Sequence, residues 1–185
     1  GYVASNTSGA VEFLEINPSG TSYALLTQKG EETKVCIYDL WKAERELGNI
    51  KKVKDASAIV YTPDARNLVV ATATELLICD ARTFDVKDRI ASPIVAKDVV
   101  VSANNFYLAA TDGTRLIVWN METKNIREEI TTSATINDIV FSDDSKLFAV
   151  LTADGKLTTY NTQNFLMDRS YNAMGEAISC AFNPD

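Results

Sequence analysis

At 185 residues, 46% of them apolar and 23% charged, the chain is long enough for one domain with a sizeable core and too apolar for intrinsic disorder. Eighteen Lys and Arg against 25 Asp and Glu leave a net charge of -7, the wrong sign for a phosphate-binding surface, so no nucleic-acid partner is expected. No stretch approaches the roughly 18 consecutive apolar residues of a membrane span, and the absence of His removes the usual general base, the commonest zinc ligand and every Ser-His-Asp or Cys-His arrangement.

In chain order, the opening "GYVASNTSG" carries an Asn6-Thr7-Ser8 sequon, of a kind that arises by chance in a chain of this length, and lacks the basic start and apolar core of a signal peptide. Alternating apolar and polar runs begin near residue 11 and recur. The segments "EINPSG", "VYTPDA", "VVSANN", "VFSDDS" and "AFNPD" align on Ile16, Tyr61, Val101, Phe141 and Phe182, at intervals of 45, 40, 40 and 41. A second column, "CIYD", "LICD", "IVWN" and "TTYN", places Asp39, Asp80, Asn120 and Asn161 at intervals of 41, 40 and 41. Fixed-period self-similarity of this kind marks a repeat architecture. The longer first interval localises to "TQKGEETK" between Leu26 and Val35, a polar hairpin tip.

The units span approximately 11–54, 57–91, 97–131 and 136–171, and 177–185 begins a further one. Each reads as four short strands separated by turn residues. In the fourth these are "INDIVF", "LFAVLT", "KLTTYN" and "FLMDRSY", enriched in β-branched and aromatic residues. The best helical candidate is "DLWKAERELGN" at 39–49, expected to form at most a short turn of helix. The basic run "NIKKVKD" at 49–55 reads as a solvated or edge segment, where Lys discourages strand addition. Cys36, Cys79 and Cys180 lie far apart in apolar runs and read as free thiols rather than a disulfide set, which points to a reducing, cytoplasmic setting.

Four-stranded units with a period near 40 are the mark of β-propeller blades. The segments "FSDDSKLFAVLTADGKLTTYN" and "DGTRLIVWN" resemble WD40 repeats, in which a Ser-Pro-Asp-Gly-like turn, an Asp-Gly hairpin and a closing Trp-Asp pair recur. The closing pairs here are Tyr38-Asp39, Cys79-Asp80, Trp119-Asn120 and Tyr160-Asn161, and the Gly-His pair of that family is missing, so the units are degenerate and are similar to YVTN-type repeats as well. The resemblance implies an all-β fold, a partial β-propeller of about four four-stranded blades plus one strand in a single domain spanning 1–185. A unit begun at 177–185 leads to the expectation of a fragment of a longer propeller, with self-association through open blade faces as the alternative.

The acidic turns "TDGT", "SDDS" and "ADGK" lack the alternating ligands and distal Glu of a calcium loop, and Asp-Gly hairpins account for them. No cofactor or metal is expected, and no catalysis. Asp98 and Asp138 share a column just before a first strand, which in a WD40-like propeller lies on the rim of the partner-binding top face. With Lys97, Asn137 and Glu176 they form the candidate surface for a protein or peptide partner. The competing role, weighed slightly ahead, is that both Asp accept backbone hydrogen bonds from neighbouring loops. Trp119 falls in the column of Tyr38 and Tyr160 and reads as core, whereas Trp41 lies outside the pattern and is the aromatic candidate for docking. A small-molecule or enzymatic propeller of the lactonase-like kind, its site on other blades, is the alternative function.

Overall fold

The computed structural model describes residues 9–42, 45–51, 53–173, 175 and 177–183. They form sixteen β-strands and, among the described residues, no helix. The strands make four separate antiparallel sheets of four, each a simple meander in sequence order. Sheet 1 comprises β1 (Ala10–Ile16), β2 (Ser22–Lys29), β3 (Glu32–Asp39) and β4 (Glu46–Asn49). Sheet 2 comprises β5 (Ala58–Tyr61), β6 (Asn67–Ala71), β7 (Glu75–Asp80) and β8 (Val86–Ala91). Sheet 3 is β9 (Asp98–Val101), β10 (Tyr107–Thr111), β11 (Arg115–Asn120) and β12 (Ile126–Thr131), and sheet 4 is β13 (Ile136–Phe141), β14 (Leu147–Thr152), β15 (Lys156–Asn161) and β16 (Met167–Asn172). Two compact units divide the chain, Gly1–Ala96 with sheets 1 and 2, and Lys97–Asp185 with sheets 3 and 4.

Both sequence columns are turns, and the structure shows why they recur. Between the first and second strands, Thr62, Ser102 and Ser142 each bend the chain so that the amide three residues on donates to their carbonyl. Each hydroxyl donates to the acceptor two residues on (Asp64, Asn104, Asp144, at 2.6, 2.7 and 2.7 Å) and accepts from the first amide of the next strand. The fourth turn residue is left-handed in all four sheets: Gly20, Ala65, Asn105 and Ser145. Between the third and fourth strands, Asp39, Asp80 and Asn120 each accept two backbone amides through Oδ1, and Asn161 accepts that of Gln163. Short polar side chains that bond backbone two or three residues on are what this geometry requires.

Every third-to-fourth strand pairing also carries a register shift at the same place, beside Tyr38, Cys79, Trp119 and Tyr160. A bulge there adds local twist. The extra residues of "TQKGEETK" do not make a loose tip: they lengthen β2 and β3 to eight residues each, closed by Gly30 at φ +62. Segment 39–49 contains no described helix, since Asp39 caps a turn like those of the other sheets before β4. The basic run at 49–55 is mostly the connection between sheets 1 and 2, with only Asn49 in the edge strand.

Within the first unit, Ala24, Leu26, Val35 and Ile37 of sheet 1 pack on Ile59, Tyr61, Leu68, Val70, Leu77 and Cys79 of sheet 2. Within the second, Tyr107, Ala109, Leu116 and Val118 of sheet 3 pack on Ile139, Phe141, Phe148 and Val150 of sheet 4. Alternation of side chains along each strand puts these residues on one face. Phe84 and Phe165 add a link. Both sit in the left-handed turn after the third strand, at φ +64 and +54, a conformation costing roughly 1–2 kcal/mol for a residue with a side chain. Phe84 lies against Gly48 of sheet 1, where a Cβ would come within 2.5 Å of its ring. Phe165, 5% exposed, meets Tyr107 of sheet 3 edge-on at 5.4 Å, with Arg127 over its face. Burying a Phe side chain is worth about 1.5–3 kcal/mol, enough to offset the strain.

Candidate binding surface

The first strands position the predicted polar residues. β9 lies against β13, which brings Asp98 and Asp138 within electrostatic reach of each other. Asp98 is half-buried and accepts its own following amide, that of Val99, at 2.8 Å. Burial pushes its carboxyl above the usual carboxylate range, the Val99 amide opposes this, and the like charge of Asp138 adds to the rise. Lys97 is exposed, its amide donating to Thr111 O at 2.7 Å and its ammonium reaching over Gly113.

Asp138 and Asn137 turn to the segment that follows sheet 4. Asp138 Oδ2 accepts the Ser179 hydroxyl at 2.9 Å and the Cys180 amide at 2.8 Å, and Asn137 Nδ2 donates to Ala177 O at 2.9 Å. A backbone hydrogen bond from a neighbouring segment is therefore found at Asp138, from Cys180, whereas among the described residues Asp98 accepts only the amide that follows it in its own strand. Asp138 serves a segment 41 and 42 residues on, whereas Asp98 serves its own amide. Residues 177–185 were expected as a first strand, yet the described part, 177–183, forms no ladder. A first strand in this fold pairs with the second strand of its own sheet, and the segment is held instead by side chains of β13. Glu176 lies outside the described residues.

Trp41, in the first unit, is 79% exposed. Its indole Nε1 donates to Gly20 O at 2.9 Å and its amide donates to Asp39 Oδ1 at 2.9 Å, so an exposed ring is held in one place. Trp119, by contrast, is fully buried.

Asp112, Asp144 and Asp154 bond the amides and hydroxyls of their own turns, which fixes these turns. At Asp112 burial pushes the carboxyl up but the hydrogen bonds together outweigh it, and all three carboxyls lie below the usual range. Burial raises all three thiols, Cys79 to about 12 and Cys180 to about 11, with Asp138 contributing to the latter, so none is a thiolate near neutrality. Among the described residues no group of three His, Cys, Asp or Glu is placed to hold a metal. Grooves open among the described residues of both units. One of about 500 Å3 in the first unit runs between Lys34, Cys36 and Glu46 of sheet 1 and Lys51 and Lys54 of the connection after it. The other, of about 330 Å3, is walled by Val140, Leu147, Ala149 and Leu157 of sheet 4 and by Cys180 and Phe182.

No family model matches the sequence, and no curated protein matches it. Solved structures do match. One of them, titled Kuenenia stuttgartiensis Hydrazine Synthase, superposes with a TM-score of 0.68 over 82% of this chain at 19% identity. The match covers 51% of that protein's chain, so the present chain spans about half of its length. At that identity the likeness concerns the fold, and it agrees with an all-β architecture of four-stranded sheets.

Proposed function

We propose that the four sheets are blades of a WD40-like β-propeller and that the protein is a non-catalytic platform that binds a protein or peptide. The observation that carries this reading is Trp41, exposed to 79% and held through Nε1 on Gly20 O. Binding energy concentrates in a few aromatic and Arg anchors, and a ring fixed beforehand gives up little conformational freedom on docking. Lys42 and Arg45 follow it in the chain, Arg45 standing 3.9 Å from Asp39, and cations so near an exposed ring suit a partner segment that pairs an apolar residue with an acidic one. The commitment of the turn carboxylates to backbone, and the raised thiols, support a role without chemistry.

The test is capture of a partner from source-cell lysate on the immobilised chain, beside Trp41→Ala and Lys97→Glu versions, followed by titration of the purified partner. The expected result is one partner bound stoichiometrically by the native chain and at least about tenfold more weakly by Trp41→Ala, the loss typical of a hot-spot residue. Equal binding by the native and Trp41→Ala chains, with their far-UV dichroism unchanged, would remove the anchor and the reading with it. Charge reversal at Asp138 is a poorer probe, because that carboxylate holds residues 179 and 180 of its own chain.

A further inference from the structure

Sheet 1 departs from the other three at its fourth strand. β8, β12 and β16 each run for six residues and pair back to the first residue of the third strand, with Glu75 opposite Ala91, Arg115 opposite Thr131 and Lys156 opposite Asn172. β4 runs for four, and its pairing stops at Cys36 opposite Asn49, so residues 32–35 of β3 lie beyond it. The connection to sheet 2 covers them loosely. The Ile50 amide donates to Val35 O at 2.9 Å and the Thr33 amide donates to Lys54 O at 3.3 Å. Residues 50–54 thus stand opposite residues 33–35, and the surplus bows outward as in a bulge. Ile50 is buried and Val53 packs on the core of the first unit, which fixes the bow between its two hydrogen bonds. Lys51 and Lys54 are thereby set beside Lys34 on the wall of the groove of about 500 Å3.

We propose that this groove binds a small phosphate monoester, with the phosphate on Lys34, Lys51 and Lys54 and the hydroxyls of its organic part on Glu32, Glu46 and Asn49. Among the described residues none of the three ammonium groups forms an ion pair, although Glu32 and Glu46 border the same space. Like charges from two segments held around one cavity repel, and a dianion between them relieves this while gaining charge-assisted hydrogen bonds. Edge protection, the role read for the basic run, asks for Lys on the rim but not for convergence on a cavity. The kind of cation selects the anion. Lys is a point charge that suits the tetrahedral oxygens of a phosphate, whereas a planar carboxylate is matched by the fork of Arg, and among the described residues no Arg lines this groove. The two carboxylates limit the ligand to one phosphate, since a second would meet Glu32 or Glu46, and they accept the hydroxyl hydrogens of a sugar or polyol. Asn49 is placed to join them, its Nδ2 donating to Glu46 Oε1 at 3.3 Å. About 500 Å3 suits such a molecule, ligand sites spanning roughly 300–1,000 Å3. Cys36 lines the same groove with Lys34 within electrostatic reach of its thiol, so a bound phosphate covers it.

The test is calorimetric titration of the full chain with glucose 6-phosphate, inorganic phosphate and glucose, in a Cys180→Ser background that leaves Cys36 as the partly exposed thiol beside the buried Cys79. Glucose 6-phosphate is expected to bind one to one with a Kd below about 1 mM at low salt. Inorganic phosphate should bind at least about threefold more weakly, for want of the hydroxyl contacts, and glucose should not saturate. Lys51→Gln combined with Lys54→Gln should weaken glucose 6-phosphate by about tenfold or more, the loss expected when charge-assisted contacts go, whereas Lys156→Gln in the second unit should leave it unchanged. Maleimide labelling of Cys36 supplies a second reading and should slow with glucose 6-phosphate at the same half-saturation. Absence of saturable binding up to about 10 mM overturns the proposal. So does native-like binding by the double lysine variant with its far-UV dichroism unchanged, an equal loss in Lys156→Gln, inorganic phosphate binding as tightly as the ester, or labelling of Cys36 that the ligand does not slow. The groove shares no residue with the Trp41 anchor, so the platform reading stands or falls by its own titration.

Discussion

Ser102→Ala isolates the turn that recurs between first and second strands. Ser102 is fully buried, its hydroxyl donating to Asn104 Oδ1 at 2.7 Å and accepting the Tyr107 amide at 2.9 Å. Losing the donor costs little, because Asn104 Oδ1 still accepts the amide of Phe106 at 3.0 Å in a more exposed setting. Losing the acceptor costs more. The Tyr107 amide opens β10, in a residue that is only 9% exposed. An unsatisfied buried donor costs roughly 1–3 kcal/mol, so the substitution is expected to lower unfolding stability by about 2 kcal/mol. Equilibrium urea unfolding followed by tryptophan fluorescence measures this as a fall in midpoint at constant slope. The companion Ser102→Thr keeps the hydroxyl, and Thr62 shows that the place accepts a methyl group. It should therefore lose less than about 1 kcal/mol, the net worth of one ordinary hydrogen bond. A loss below about 0.5 kcal/mol in Ser102→Ala, the ordinary scatter of surface substitutions, would refute the view that this hydroxyl organises the turn.

Further expectations follow from other contacts. Gly48→Ala sets a Cβ against the Phe84 ring, so it should destabilise by about 1–3 kcal/mol as overpacking does, and the penalty should shrink in a Phe84→Ala background in a double-mutant cycle. Asp98 holds its proton more tightly folded than unfolded. Its contribution to stability is therefore present below the ordinary carboxylate value and lost as pH rises through the raised folded value. Asp98→Asn should thus be more stable than the native chain at neutral pH, with the difference fading towards pH 3 in urea titrations, and a pH-independent difference would count against the burial argument. Asp144 behaves oppositely: its folded value sits at about 2, so what it contributes is present above the ordinary carboxylate range and is lost as acid approaches that value, which Asp144→Asn should abolish. Cys79, fully buried and raised to about 12, should react with a disulfide reagent only after unfolding, while Cys36 and Cys180 react in the native state.

Period and turn chemistry made the sheets legible from residues alone. The fourth unit shows how closely: "INDIVF", "LFAVLT" and "KLTTYN" coincide with β13, β14 and β15. The signals behind this are local. Side-chain alternation follows from strand geometry, and Ser, Thr, Asp and Asn at fixed offsets bond backbone two or three residues away, so both are written within a few consecutive residues. At 39–49 the same Asp column carried information that propensity did not, since Asp39 caps a turn as Asp80 does.

The candidate surface was legible only in outline. The column of Asp98 and Asp138 was visible, but not that one carboxylate serves its own amide and the other a segment 41 and 42 residues on. Nor could order of residues disclose that Trp41 would stand exposed while pinned to Gly20, or that Phe84 and Phe165 would accept left-handed backbone to reach a neighbouring sheet. Those outcomes depend on which faces meet, and the energy of a ring or a carboxylate is set by the groups that folding brings around it. Architecture here is a sum of short-range rules repeated along the chain, and so the sequence by itself determined it. Exposure, charge environment and the open apolar face of sheet 4 are long-range quantities, and only the tertiary structure decided them.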